Sequence, residues 1–356
     1  MRSRPTLTFR SLIAPAALLA CAGWIATPRA LSAAEDEPGP TLGSIERLDP
    51  ALDEIIAPDA RMERIAEGFT WVEGPVWDAA GERLLFSDTM HNVVHQWKKG
   101  QGVGVFLRPS GYTGETPRGG EPGSNGLTFD HEGRLVLCQH GDRRIARARL
   151  DGDCSFTTLV NNYEGKRLNS PNDGIFKSNG DYYFTDPFYG LLGENHDEGK
   201  ELDFSGVYRL SKDGTLTLLT KELKNPNGLA FSPDEKTLYV GNSDPQKAIW
   251  MAYPVKDDGT IGPGRLFGDV TERVGKVPGL PDGLKVDEKG NIFATGPGGV
   301  LIFNSEGKHL GTLATGEPTG NCAFGEDGSV LYITANKYLA RIPLKTKGPI
   351  PGARRP

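Results

Sequence analysis

Cysteine is scarce: Cys21, Cys138, Cys154 and Cys322 are the only four in 356 residues, and the last three form an odd set once the N-terminal stretch is set aside. An odd number cannot complete a disulfide framework, so these cysteines read as small packed residues. With no Cys or His spacing of the zinc type, any metal has to be held by oxygen. Basic charge is short as well, with Lys+Arg 40 against Asp+Glu 46 and a formal net charge of -6. Without a basic stripe the chain has no footprint for displacing counterions from phosphates, which excludes a general nucleic-acid binder. Helical runs of Ala, Leu, Glu and Lys are missing after the first few dozen residues, and no apolar run reaches the roughly 20 residues of a membrane span.

Turn formers, by contrast, are plentiful, with Gly 47 and Pro 26. Such a mixture predicts short strands and many tight turns. At the N-terminus, Arg2, Arg4 and Arg10 precede an apolar run from Leu12 to Ala26 that contains Pro15 and ends near Ser32, Ala33 and Ala34. This pattern predicts a signal peptide over residues 1–34 and an exported chain, periplasmic or secreted. Leu18-Leu19-Ala20-Cys21 also matches a lipoprotein box, in which the signal would end before Cys21 and that residue would carry a lipid anchor. Residues 35–58, acidic and Pro-containing, read as a tether with little order in the first half, and residues 347–356 as a C-terminal tail.

Between them one pattern recurs: a polar residue and Gly, an alternating apolar segment, a turn, then a β-rich run. The copies open at Glu73-Gly74, Asn125-Gly126, Asn172-Asp173-Gly174, Asn227-Gly228, Asp282-Gly283 and Thr319-Gly320, at spacings of roughly 37 to 55 residues. Period-two runs such as Asp181 to Thr185 and Asn291 to Thr295 read as strands, and spacings of this size suit four-stranded propeller blades. The expected fold is all-β, a six-bladed β-propeller over residues 59–346. Its last copy has room for only three strands, so the strand from Arg61 to Ala66 is expected to pair with the strand through Leu339 to Pro343 and close the ring.

In a propeller the innermost strand of each blade starts near the axis, so the opening residues converge at one mouth. Glu73, Asn125, Asn172 with Asp173, Asn227, Asp282 and Thr319 are nearly all oxygen donors, a hard-cation set suited to Ca²⁺, with Mg²⁺, Zn²⁺ or Mn²⁺ as alternatives. Asn-Gly and Asp-Gly are also common turn dipeptides. The hairpin turns, however, have their own sites inside each copy, and turn chemistry does not account for the Glu of the first copy.

On its most specific segments, Glu73-Gly74-Pro75-Val76-Trp77, Leu168 to Gly174, Phe184 to Gly190, Pro226 to Leu229 and Pro281 to Leu284, the chain resembles the gluconolactonase and regucalcin (senescence marker protein) family of metal-dependent lactonases. The resemblance covers nearly everything from Arg61 to Leu344 and implies hydrolysis of a sugar lactone. It also implies that Glu73, Asn172, Asn227 and Asp282 hold the metal and that Asp282 is the general base. Of these four, only Glu73 and Asp282 titrate. His140, whose ordinary pKa suits proton transfer, is a second catalytic candidate, and Asn125, Tyr189 and Asn242 are candidates for binding sugar hydroxyls. One departure is Ser170, which stands where regucalcin-like members carry a substrate-contacting Arg; Gln139-His140-Gly141-Asp142-Arg143-Arg144 looks like the bacterial gluconolactonase branch. Two rival readings share the frame: a phosphotriesterase-like hydrolase, and a non-catalytic propeller that binds a carbohydrate or protein and keeps a structural metal.

Overall fold

The computed structural model describes residues 39–150 and 155–352. The expected leader, with Cys21, lies outside the described residues, as does Cys154. Six antiparallel sheets follow one another along the chain as the blades of a propeller. Blade one comprises Val72–Asp78, Arg83–Asp88, Val93–Lys98 and Gly102–Leu107. Blades two to five have their innermost strands at Ser124–Phe129, Gly174–Phe176, Pro226–Phe231 and Leu284–Val286. Blade six takes Thr319–Gly325, Val330–Ala335 and Tyr338–Pro343 from the end of the chain and Glu63–Glu67 from its start. Glu63 pairs with Arg341 and Glu67 with Tyr338, so strands from both ends of the chain share this sheet.

The strand period explains how the blades hold together. Successive side chains point to opposite faces of a sheet, and each face packs on a neighbouring blade. Leu84 and Phe86 join a cluster with Tyr332 and Leu339 of blade six, whereas Leu85, between them, joins Leu127 and Leu137 of blade two. Leu229 and Phe231 likewise face Tyr183 and Val207 of blade three, and Ala230 faces Leu284 of blade five. The core is therefore divided among the blade contacts, with fully buried Trp250, Tyr183, Tyr208 and Phe293 among its largest members. Cys138 and Cys322 are free and buried within it, as small packed residues.

The segment expected to be a tether is docked over its described part, and this corrects the reading of residues 35–58. Ser44–Arg47 adds a fifth strand to blade five, with Ser44 opposite Ala314 and Arg47 opposite Gly311. A 3-10 turn at Pro50–Glu54 follows, opened by the Asp49 carboxylate, which accepts from Ala51 N–H. It delivers Leu52, Ile55 and Ile56 into the core between blades five and six, where Leu52 and Ile56 are fully buried. The expected tail is held over residues 347–352 too. Lys347 O accepts from Glu288 N–H, Gly348 N–H donates to Gly328 O, and Ile350 packs against the Trp77 and Tyr332 cluster. These contacts lie on the hairpin turns of the inner strands, so the C-terminal segment crosses the face opposite the candidate site.

Candidate active site

The openings of the six repeats meet in a circle, and glycine is what lets them do so. A Cβ on Gly74 would come 2.1 Å from the Asn125 carbonyl, and one on Gly228 would come 2.3 Å from the Asp282 carbonyl. Only a residue without a side chain permits inner strands to approach this closely. Gly126 N–H donates to Asn172 O at 2.7 Å and Gly283 N–H to Gly320 O at 2.8 Å. Hydroxyls of the second strands reinforce the circle: Ser87 Oγ donates to Asn125 O, Thr185 Oγ1 to Asn227 O and Thr295 Oγ1 to Gly320 O. Each contact links one blade to the next, which fixes the opening residues around the axis at one mouth.

Glu73, Asn125, Asn172, Asp173 and Asn227 are all buried here, and Asp282 is half-buried beside them. Burial pushes the Glu73 carboxyl up to about 8; the Gly74 N–H opposes this, while the neighbouring Asp173 and Glu121 carboxylates add to it. Asp282 is pushed well above the usual carboxylate range, first by burial and then by the charges of Glu73, Asp173 and Glu121, against a hydrogen bond from Asn227. Like charges crowded into a site of low polarity resist ionisation together. The Oδ1 atoms of Asn125 and Asn227 are buried with no hydrogen-bond partner. Unpartnered carboxamide oxygens beside two strained carboxylates make a donor set that fits a hard divalent cation. Among the described residues no three His, Cys, Asp or Glu side chains come together as a metal-holding group. Any cation at this mouth would have to be held by carboxylates supplemented by carboxamides.

The other expected residues divide. Tyr189 is half-buried at the mouth, its phenol beside Ser243 and Asn225 and close enough to Asp282 to feel its charge. Asn242 is engaged at both ends of its amide: its Oδ1 accepts from Asn225 N–H at 2.9 Å and its Nδ2 donates to Lys247 O at 2.8 Å. With both ends of its amide engaged by backbone, it braces Asn225, whose own Oδ1 is buried and unpartnered. Thr319 is spent locally as well, on Thr315 Oγ1 and Glu317 O, and Asn321, two residues on, is the blade-six side chain that enters the channel. His140 is fully buried, with Nδ1 3.0 Å from Glu121 Oε2 and no partner for Nε2. Ser170, in the place of the regucalcin-like Arg, fastens the Tyr189 loop by donating to Pro187 O and accepting from Gly190 N–H. Sequence reasoning missed Glu121, Asn225, Lys285 and Asn321. Glu121 lies in a connecting loop outside the repeat register, Asn225 stands two residues before Asn227, and Lys285 and Asn321 follow opening glycines by two residues and one.

A family model described as the SMP-30/Gluconolactonase/LRE-like region matches residues 71–337. The chain belongs to this family. A gluconolactonase of Zymomonas mobilis is 39% identical over 354 residues, covering 98% of this chain and 99% of its own. A pentonolactonase of Haloferax volcanii is 26% identical over 267 residues, 74% of this chain and 80% of its own. Among solved structures, a gluconolactonase of Xanthomonas campestris superposes with a TM-score of 0.73 at 34% identity, covering 87% of this chain and 99% of that one. Members of this family thus share the propeller over nearly its whole length, with the repeat openings inside the matched span.

Proposed function

We propose that this chain hydrolyses a sugar lactone of the gluconolactone type to the aldonic acid, with one divalent cation, Ca²⁺ before Mg²⁺, Zn²⁺ or Mn²⁺, at the axial cluster. The observation that carries this reading is the meeting, at one mouth, of two titratable carboxylates, Glu73 and Asp282, with the unpartnered carboxamide oxygens of Asn125 and Asn227. Two family members of the same overall length as this propeller are gluconolactonases, which supports lactones as the substrate class.

In this reading Glu73, Asn172, Asn227 and Asp282 hold the cation. When bound it polarises the lactone carbonyl and stabilises the oxyanion. Water adds to the carbonyl carbon and its proton passes to a carboxylate oxygen of Asp282. The ring C–O bond then breaks, and the proton is returned to the departing ring oxygen, which becomes a hydroxyl of the acid. Asn172 and Asn227 orient but take no proton, because carboxamides do not titrate near neutrality. Asn125, Asn225 and the Tyr189 phenol offer convergent donors and acceptors to sugar hydroxyls. His140, enclosed and tied to Glu121, orders the mouth loops in this scheme.

A panel of aldonolactones assayed with metal-depleted protein, before and after each of the four ions is restored, tests the proposal. Ring opening should return with Ca²⁺. Cation binding without turnover of any lactone would leave only the binding-propeller reading, and turnover of a phosphotriester run alongside would favour the other rival. Export belongs to the same proposal, on the strength of the basic and apolar N-terminal pattern; the mass of the mature chain recovered from the periplasmic fraction checks it and separates cleavage near residue 34 from a lipid on Cys21.

A further inference from the structure

Lys285 lies three residues beyond Asp282 on the innermost strand of blade five, half-buried. Its Nζ donates to Asn321 Oδ1 at 3.0 Å and to Leu284 O at 3.1 Å, and stands 3.9 Å from Asp173 Oδ2. Asn321 Nδ2 donates to that same Asp173 oxygen at 3.2 Å. Asp173 opens blade three and Asn321 belongs to blade six, opposite positions in a ring of six, so this chain of contacts crosses the axis. It is also fastened to the candidate cation ligands. Asp173 follows Asn172 in sequence. A Cβ on Gly283, the residue after Asp282, would lie 2.0 Å from the Asn321 carboxamide, and one on Gly320 would lie 2.3 Å from Glu73 Oε1. The ammonium therefore sits within the same group of side chains as the acidic cluster, held by three fixed oxygens.

We propose that Lys285 is the built-in counter-cation of the axial site: it positions Asp173 and Asn321 across the channel and holds down the affinity of the site for a divalent ion. The inference rests on the cation reading given above. Ligand charge count is a main control of Ca²⁺ affinity, and Glu73, Asp173 and Asp282 together would make a strongly anionic site if nothing offset them. A fixed positive charge a few ångströms away repels a divalent ion with energy that falls only as the inverse of distance. An enzyme that must also admit and release substrate gains from a site that is filled but not over-charged, and an internal lysine supplies that offset without solvent exchange.

Ca²⁺ titrated calorimetrically into metal-depleted protein tests this. Lys285→Met should tighten binding by about tenfold or more, and Asp173→Asn should weaken it by about as much, from the Coulomb term alone. The double variant restores the net charge and should return to within about threefold of the parent, an outcome that a merely structural role for Lys285 does not give. Lys285→Arg, which keeps the charge, should bind as the parent does. Unchanged or weaker binding by Lys285→Met with a normal thermal melt overturns the proposal. Should the Met variant fail to fold, Lys285→Gln carries the same comparison. If neither folds while Arg does, Lys285 is a structural strut and the proposal is wrong. A parent protein that binds no divalent ion would remove the cation reading itself, a failure distinct from unchanged affinity in the variants.

Discussion

Asp282 and Glu73 bear the same charge in the same cluster, yet their proposed duties differ, and amide substitutions separate them. Asp282→Asn keeps the size and one carbonyl oxygen but removes the proton acceptor. At saturating Ca²⁺ its turnover should fall by at least about a hundredfold, the usual scale of a lost general base, while the cation still binds, more weakly. Glu73→Gln should lose mainly cation affinity and recover much of its turnover when Ca²⁺ is raised. Steady-state kinetics across a Ca²⁺ titration checks both. Near-normal turnover by the Asp282 variant with the cation bound would reduce Asp282 to a ligand and return attention to His140, whose buried Nε2 has no partner.

The element that presents Asn172 is held by one carboxylate. Asp186, at the end of the second strand of blade three, accepts from Asn169 N–H and Ser170 N–H, each at 2.8 Å, and so pins the segment leading to the ligand. Burial pushes the Asp186 carboxyl up to about 7, against those N–H bonds and the charges of Arg143 and Lys200. A pKa raised in the folded state means the fold binds this proton more tightly than the unfolded chain does. The resulting stability is fully present below about pH 4, the ordinary range of the group, and is lost as pH rises through about 7. The urea midpoint should therefore decline between about pH 4 and pH 7, and the Asp186→Asn variant should show a flatter profile over the same window.

At this scale most of the propeller could be read from the sequence, because each blade repeats the same polar-Gly opening and the same alternation, and repetition multiplies a weak local signal. What escaped depends on contacts between segments distant in the chain. Asn242 sits in a strand and looked free, but its role depends on where the Asn225 N–H falls, which no local pattern records. Glu121 comes from a connecting loop, and Asn225 stands two residues before Asn227, as Ser170 does before Asn172, where nothing local tells which way its side chain turns. Lys285 carries no signal of its own, since nothing in its neighbourhood tells that blade three will bring Asp173 to meet it across the ring.

For the whole molecule, the consequential misreading is the segment before the first blade. Its acidic, Pro-containing composition suggested a linker, yet Leu52, Ile55 and Ile56 are spaced to face one way and are buried between blades five and six. Leu52→Ala should cost about 2–5 kcal/mol in urea unfolding, as for a packed core leucine, and leave cation affinity unchanged. A linker residue would cost no more than about 0.5 kcal/mol.

That docking also gives the ring a direction. Asp282 N–H donates to Thr295 O, Thr295 stands opposite Val300, Val300 opposite Leu313, and Leu313 opposite Ile45. One rung of blade five thus runs outward from the acidic cluster to the added strand at the rim. A load on that added strand is carried through the hydrogen bonds of three others before it reaches the turn that presents Asp282, so rim and carboxylate share one hydrogen-bonded path.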